Sequence, residues 1–270
     1  MAARGNRMRW SLAVVALIAA LPGAAQRAPN GRPYLSQPLV TSTYTADPAA
    51  HVFGGRIYVY ASHDVPGPPL SDEPPFQKSE GNSFRMTDFV VLSMDRPGGP
   101  VTVHSNILDI KDVPWAARQM WAPDAAYKDG TYYLYFPAKD RAGAFRIGVA
   151  TSASPTGPFT ARSQPIKGSY SIDPAVFIDD DGTAYLFFGG INGGQLHKHV
   201  GGVFNPDGPL TDPRGPRERG FMPQVARLTR WWIFYADSQL SGGQTPLRNV
   251  KLTELFWNGD TIRTIDPFGK

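Results

Sequence analysis

Beyond about residue 40, short apolar runs alternate with glycine-containing turns, and one arrangement recurs along the chain. Asp47-Pro48-Ala49-Ala50-His51-Val52-Phe53-Gly54-Gly55 runs into Arg56-Ile57-Tyr58-Val59-Tyr60-Ala61. Asp124-Ala125-Ala126-Tyr127-Lys128-Asp129-Gly130 is followed by Thr131-Tyr132-Tyr133-Leu134-Tyr135-Phe136. A third copy starts at Asp173-Pro174-Ala175-Val176-Phe177-Ile178, turns through Asp179-Asp180-Asp181-Gly182, and returns as Thr183-Ala184-Tyr185-Leu186-Phe187-Phe188. Each copy is a short strand, a turn, and a strand rich in aromatic and β-branched residues, which predicts a β-hairpin. A fourth aromatic strand, Arg230 to Asp237, predicts a hairpin with Val225-Ala226-Arg227-Leu228, and Pro223 stands where the other copies carry aspartate. Hairpins repeated tens of residues apart predict an all-β propeller built from small antiparallel sheets. The proline-rich segment from Pro66 to Met86 falls between two copies and reads as a loop over the mouth of the channel.

A different texture opens the chain. Arg4, Arg7 and Arg9 precede the apolar run Leu12 to Leu21, which exits through Pro22-Gly23-Ala24-Ala25. This reads as a secretory signal peptide over residues 1–25, too short for an ordinary membrane span. A proline-rich linker over residues 26–39 and one propeller domain over residues 40–270 complete the predicted organisation. The expected location is secreted or periplasmic, with no membrane attachment once the signal is removed. Without cysteine, the chain carries no lipid anchor, disulfide framework or thiol nucleophile. The formal charge of +4 includes the three arginines of the signal. What remains forms no dense basic patch, so no nucleic-acid partner is expected.

The chemistry rests on Asp47, Asp124 and Asp173, which head the first strand of three repeats. The innermost strands of successive blades line a propeller's channel, so equivalent positions converge on its axis. For any one of these residues a turn-forming role is a sufficient reading. Three at one repeat position point instead to a carboxylate cluster, which is costly unless solvated, paired or used. Glycoside hydrolysis is the reaction that needs paired carboxylates and no cofactor. Trp115 and Trp121 are either sugar-stacking residues or packing between blades. The run Asp179 to Gly182 lacks the downstream glutamate of a calcium loop and reads as a hairpin turn. The five histidines show no metal-ligand spacing and read as ordinary polar residues.

Ala46-Asp47-Pro48, Trp121-Ala122-Pro123-Asp124 and Ser171-Ile172-Asp173-Pro174 resemble, in order, the motifs of the first three blades of glycoside hydrolase family 43. The resemblance runs from about Tyr44 to Pro209 and resumes from Arg230 through Leu240-Ser241-Gly242-Gly243-Gln244-Thr245. It implies a five-bladed β-propeller and an inverting β-xylosidase or α-L-arabinofuranosidase acting on pentose-containing oligo- or polysaccharides. By position, Asp47 is then the general base, and Asp173 the carboxylate that orients the acid and raises its pKa. Trp121, Asp124 and Arg248 are the implied substrate-binding residues.

The resemblance breaks at blade 4. The family's general-acid glutamate opens that blade, and a histidine of blade 5, often associated with calcium, lies near the axis. Neither motif occurs in this sequence. Glu218 is flanked by Arg217 and Arg219, which favour its ionised form and make it a poor replacement acid. The expectation is therefore an incomplete propeller of about four blades, with no required cofactor and no metal ligands assigned. Its catalysis would be impaired, and the alternative is an inactive sugar-binding relic of the same family.

Overall fold

The computed structural model describes residues 37–71, 73, 81–190, 193–200, 203–208, 231–237, 240–242, 244, 246–255, 257–258 and 261–262. The signal peptide, most of the linker, Glu218 and the strand expected at Val225 to Leu228 lie outside these residues. Regular structure among them is β-strand, apart from two three-residue 3-10 turns at Ile110–Asp112 and Leu196–Lys198. No helix there is long and apolar enough to cross a membrane.

Strands β1 (Thr45–Phe53), β2 (Arg56–His63), β3 (Phe89–Met94) and β4 (Thr102–His104) form a four-stranded antiparallel meander. The first hairpin turns through Gly54 and Gly55, both at positive φ. That backbone matches the twist of paired strands and is open to few residues but glycine. β5 (Ala116–Arg118), β6 (Asp124–Lys128), β7 (Thr131–Asp140), β8 (Phe145–Ser152) and β9 (Thr160–Ala161) make a second sheet, in which β5 and β6 both pair with β7. Asp129 and Gly130 turn its β6–β7 hairpin. β10 (Ala175–Ile178) and β11 (Ala184–Phe187) form the third predicted hairpin, and the acidic run is its turn. β12 (His199–Val200) pairs with β13 (Val203–Phe204). β14 (Trp231–Asp237) pairs with β15 (Asn249–Leu255), and β16 (Trp257–Asn258) with β17 (Thr261–Ile262).

The first sheet is buried on both faces, and strand alternation sorts its side chains between two cores. Tyr60, Phe89 and Val91 point into one, shared with Trp115, Leu134, Phe136 and Phe159 of the second sheet. Val59, Ala61, Val90, Leu92 and Met94 point into the other, which Val250 of β15 completes. Trp115 is 6% exposed and stacks on Phe136 at 6.0 Å, so of its two readings the packing one holds. Segments distant in sequence close against each other beside this second core. Leu39 N donates to Val250 O at 3.1 Å, and Asn249 Nδ2 to Thr43 O at 3.1 Å.

Candidate active site

Strand β1 does not run regularly through Asp47. Its register shifts between Ala46 and Ala49, and Asp47 has φ of 51°, in the left-handed region. A bulge of this kind re-aims a side chain that simple alternation would place elsewhere. Pro48 fits there because it has no N–H to contribute to the ladder. Asp173 sits before Pro174 at φ 55°, just ahead of β10. The two copies that read Asp-Pro therefore share a backbone state, and both aspartates line one cavity of about 360 Å³. Gly81, Phe84, Met86, Trp121, Ile172 and Arg248 are among its other walls.

Asp124, in the copy that reads Asp-Ala, goes elsewhere and is not among the cavity's lining residues. Its Oδ1 lies 2.7 Å from His51 Nε2 and accepts from Ala125 N at 2.8 Å. Its Oδ2 accepts from Val176 N at 2.7 Å. The carboxylate thus ties β1, β6 and β10 together, and the equivalence in the repeat does not carry over to the cavity.

The two cavity carboxyls live in contrasting surroundings. Asp47 Oδ1 accepts from Arg248 Nη1 at 2.8 Å, and its Oδ2 from Ser62 Oγ at 2.9 Å. Asp173 is an exposed residue that opens onto the cavity. Loss of hydration first, and the nearby Asp47 charge second, push its pKa up to about 6. Arg248 is fixed by Asp64, which directly follows β2. Asp64 accepts from Arg248 Nε at 3.0 Å, Nη2 at 3.0 Å and the backbone N at 2.6 Å. The Asp64 side chain is fully buried. Burial pushes its pKa up against the pull of Arg248. Burial also opposes the Arg248 charge, but the hydrogen bonds and charges of Asp64 and Asp47 outweigh it and raise that pKa. The one sequence cue to Asp64 is an acid directly after a strand whose preceding residues are buried.

The aromatic wall is built around Trp121. Its ring packs at 4.7 Å from Phe145 and edge-on at 6.0 Å from Phe84, over which the Arg248 guanidinium lies at 5.0 Å. Gly81 has φ of 71°, and a Cβ there would come within 2.3 Å of Trp121. Glycine is what lets this backbone lie on the indole. Gly81, Phe84 and Met86 come from the loop expected over the channel mouth, whose described end walls the cavity. Among the described residues no three His, Cys, Asp or Glu side chains are grouped so as to fit a metal ion.

Known proteins resemble this chain in sequence and in fold. The chain is 51% identical over 199 residues to xylosidase/arabinosidase 43A of Humicola insolens, covering 71% of this chain and 58% of that protein. It is 44% identical over 200 residues to a xylosidase/arabinosidase of Bacteroides ovatus, covering 74% of this chain and 59% of that one. The chain thus spans under two thirds of the length of these relatives. Its fold matches a solved GH43 β-xylosidase/α-arabinofuranosidase from a compost microbial metagenome, crystallised with xylotriose in a calcium-free form. That match has a TM-score of 0.75 at 39% identity, over 87% of this chain and 98% of the other. The sheets are accordingly those of the five-bladed propeller architecture, only partly covered here. Residues 37–212, which include the Asp47, Asp124 and Asp173 motifs, match glycosyl hydrolases family 43, and the chain belongs to that family.

Proposed function

We propose that the protein is a secreted or periplasmic glycosidase that releases xylose or arabinose from plant polysaccharides by inversion. One observation carries this reading: Asp47 and Asp173 face one cavity from opposed electrostatic surroundings. Asp47, held by a cation and a hydroxyl donor, is arranged as an acceptor. That is the form in which a general base takes a proton from water as the water attacks the anomeric carbon. Asp173 supplies a second carboxyl that holds its proton into the mildly acidic range. Its assigned task is to orient a proton donor and keep that donor protonated. Trp121 and Phe84 offer apolar faces for a pentose ring, and Arg248 a cation for its hydroxyls. The relatives' xylosidase and arabinosidase activities, and the xylotriose held by the solved structure, support a pentose oligosaccharide as the ligand.

Asp47 and Asp173 are the carboxyl groups among the cavity's described lining residues, and no glutamate stands with them. Without a dedicated acid, turnover of unactivated glycans is expected to fall by a factor of about 100 to 10,000. Aryl glycosides, whose leaving groups need little protonation, lose less. The decisive experiment measures hydrolysis of aryl xyloside and aryl arabinofuranoside by the purified protein and by Asp47→Asn. Turnover that disappears in the variant supports the assignment, and rapid hydrolysis of xylan or arabinan overturns the impairment. The intact aromatic and cationic walls also support a second reading, a sugar-binding relic. Xylotriose binding by calorimetry without any turnover would select it.

A further inference from the structure

Asp64 is not among the cavity's lining residues, yet among the described residues it accepts three of the four hydrogen bonds that Arg248 donates. The fourth runs from Arg248 Nη1 to Asp47. The guanidinium fork is planar and rigid, so fixing Nε and Nη2 on one carboxylate dictates where Nη1 points. We propose that Asp64 is a positioning residue: it aims Arg248 and thereby holds the Asp47 carboxylate in the orientation that water activation requires. This rests on the glycosidase reading of Asp47.

Three features of the fold carry it. The Asp64 side chain is fully buried, and among the described residues its hydrogen bonds go to the arginine and not to solvent. The bond from the Arg248 backbone N fixes the base of the same side chain that the fork fixes at its end. Finally, Arg248 and Asp64 lie 184 residues apart, directly before β15 and directly after β2. Orientation of the base therefore depends on β15 docking against the first sheet. A partly assembled chain would carry Asp47 on its bulge with the Ser62 hydroxyl but without the cation that aims its other oxygen.

The test compares wild type with Asp64→Asn and with Asp88→Asn as a structural control. Asp88 is a buried acid whose partner is His63 at 2.8 Å, away from Arg248. Aryl xyloside kinetics are expressed per folded molecule, with the folded fraction taken from circular dichroism. Misplacing a catalytic group by about 1 Å costs on the order of 100-fold. Asp64→Asn is expected to lower kcat roughly 10- to 100-fold and to move KM by less than about threefold. Asp88→Asn should leave kcat per folded molecule within about twofold of wild type. A purely structural role for Asp64 would make the two variants alike in kcat, and that result overturns the proposal. Should Asp64→Asn fail to fold, Arg248→Lys tests the same clamp: an ammonium lacks the fork that bridges both carboxylates, so the same fall in kcat is expected. A wild type without turnover would sink the glycosidase reading alone. The clamp would then be decided by the crystal structure of Asp64→Asn, where loss of the 2.8 Å contact from Arg248 to Asp47 supports it and an unchanged contact overturns it.

Discussion

Asp173 is a carboxyl whose ordinary pKa of 3.8 is raised to about 6 in the folded protein, chiefly by loss of hydration and then by Asp47. The folded state thus holds a proton that the unfolded chain has already released, across the interval between those two values. Stability contributed by this site is greatest below about pH 4 and declines as pH rises toward about 6. Asp173→Asn removes the penalty, so its melting temperature should exceed that of wild type at about pH 7 and match it at about pH 4. Because the carboxyl opens onto cleft water, which screens it, a gain of about 2–4 °C is expected at neutral pH. A variant that melts below wild type at neutral pH would show that the carboxylate is instead stabilised by its surroundings. Asp47 and Asp173 were legible in the sequence because each heads a repeat and precedes a proline. Asp64 was not: an acid also ends the second strand of other copies, as Asp140 and Asp237 do, and the significance of this one comes from an arginine nearly two hundred residues away.

The hairpins were legible from their turns and aromatic strands, but their joints were not. Asp124 shows why. Repeat position suggested a third carboxylate at the cavity, whereas the local backbone sends the side chain to His51 on β1 and to the Val176 amide on β10. A residue read as a pocket contact is, in the fold, a tie among three sheets. His51 was read as an ordinary polar residue because its partner lies 73 positions away. Asp124→Ala leaves a buried amide and an imidazole without their acceptor, at a cost of about 1–3 kcal/mol. The expected outcome is a lower urea midpoint with KM per folded molecule unchanged. A raised KM at unaltered stability would return Asp124 to the substrate. Trp231–Asp237 also pairs with Asn249–Leu255 downstream, a partner the repeats do not indicate. Pairing across a long connection leaves no periodic signal in either strand.

Among the described residues, segments far apart in sequence meet beside β1. Leu39, Thr43 and Thr45 meet Asn249 and Val250, and the Arg248 clamp lies alongside. Asn249 is fully buried, so Asn249→Ala removes the donor to Thr43 O and is expected to cost about 1–3 kcal/mol. Hydrogen exchange should quicken in β1 and β15 together, because one opening event exposes both. Faster exchange confined to β15 would mean that the first sheet stands without it. Elsewhere the ring is less well covered. Phe177, Tyr185 and Phe187 on the third hairpin are 55%, 45% and 61% exposed. A propeller with its full complement of blades was the architecture implied by the motifs. The interruption after the third blade was equally visible, as a missing glutamate motif.

The left-handed backbone at Asp47 and Asp173 decides how their substitution can be interpreted. A non-glycine residue in that region carries a strain of about 1–2 kcal/mol, which asparagine and aspartate bear best because their short side chains bond locally. Alanine at either position would alter the chemistry and strain the bulge at once, and lost activity could not be assigned to one or the other. Asparagine leaves the conformation at ease and removes only the capacity to exchange a proton. The same geometry makes glycine a substitution that relaxes the chain while emptying the cavity of its charge. At these two positions the conformational optimum and the chemical requirement pull apart, and the residue present satisfies the second.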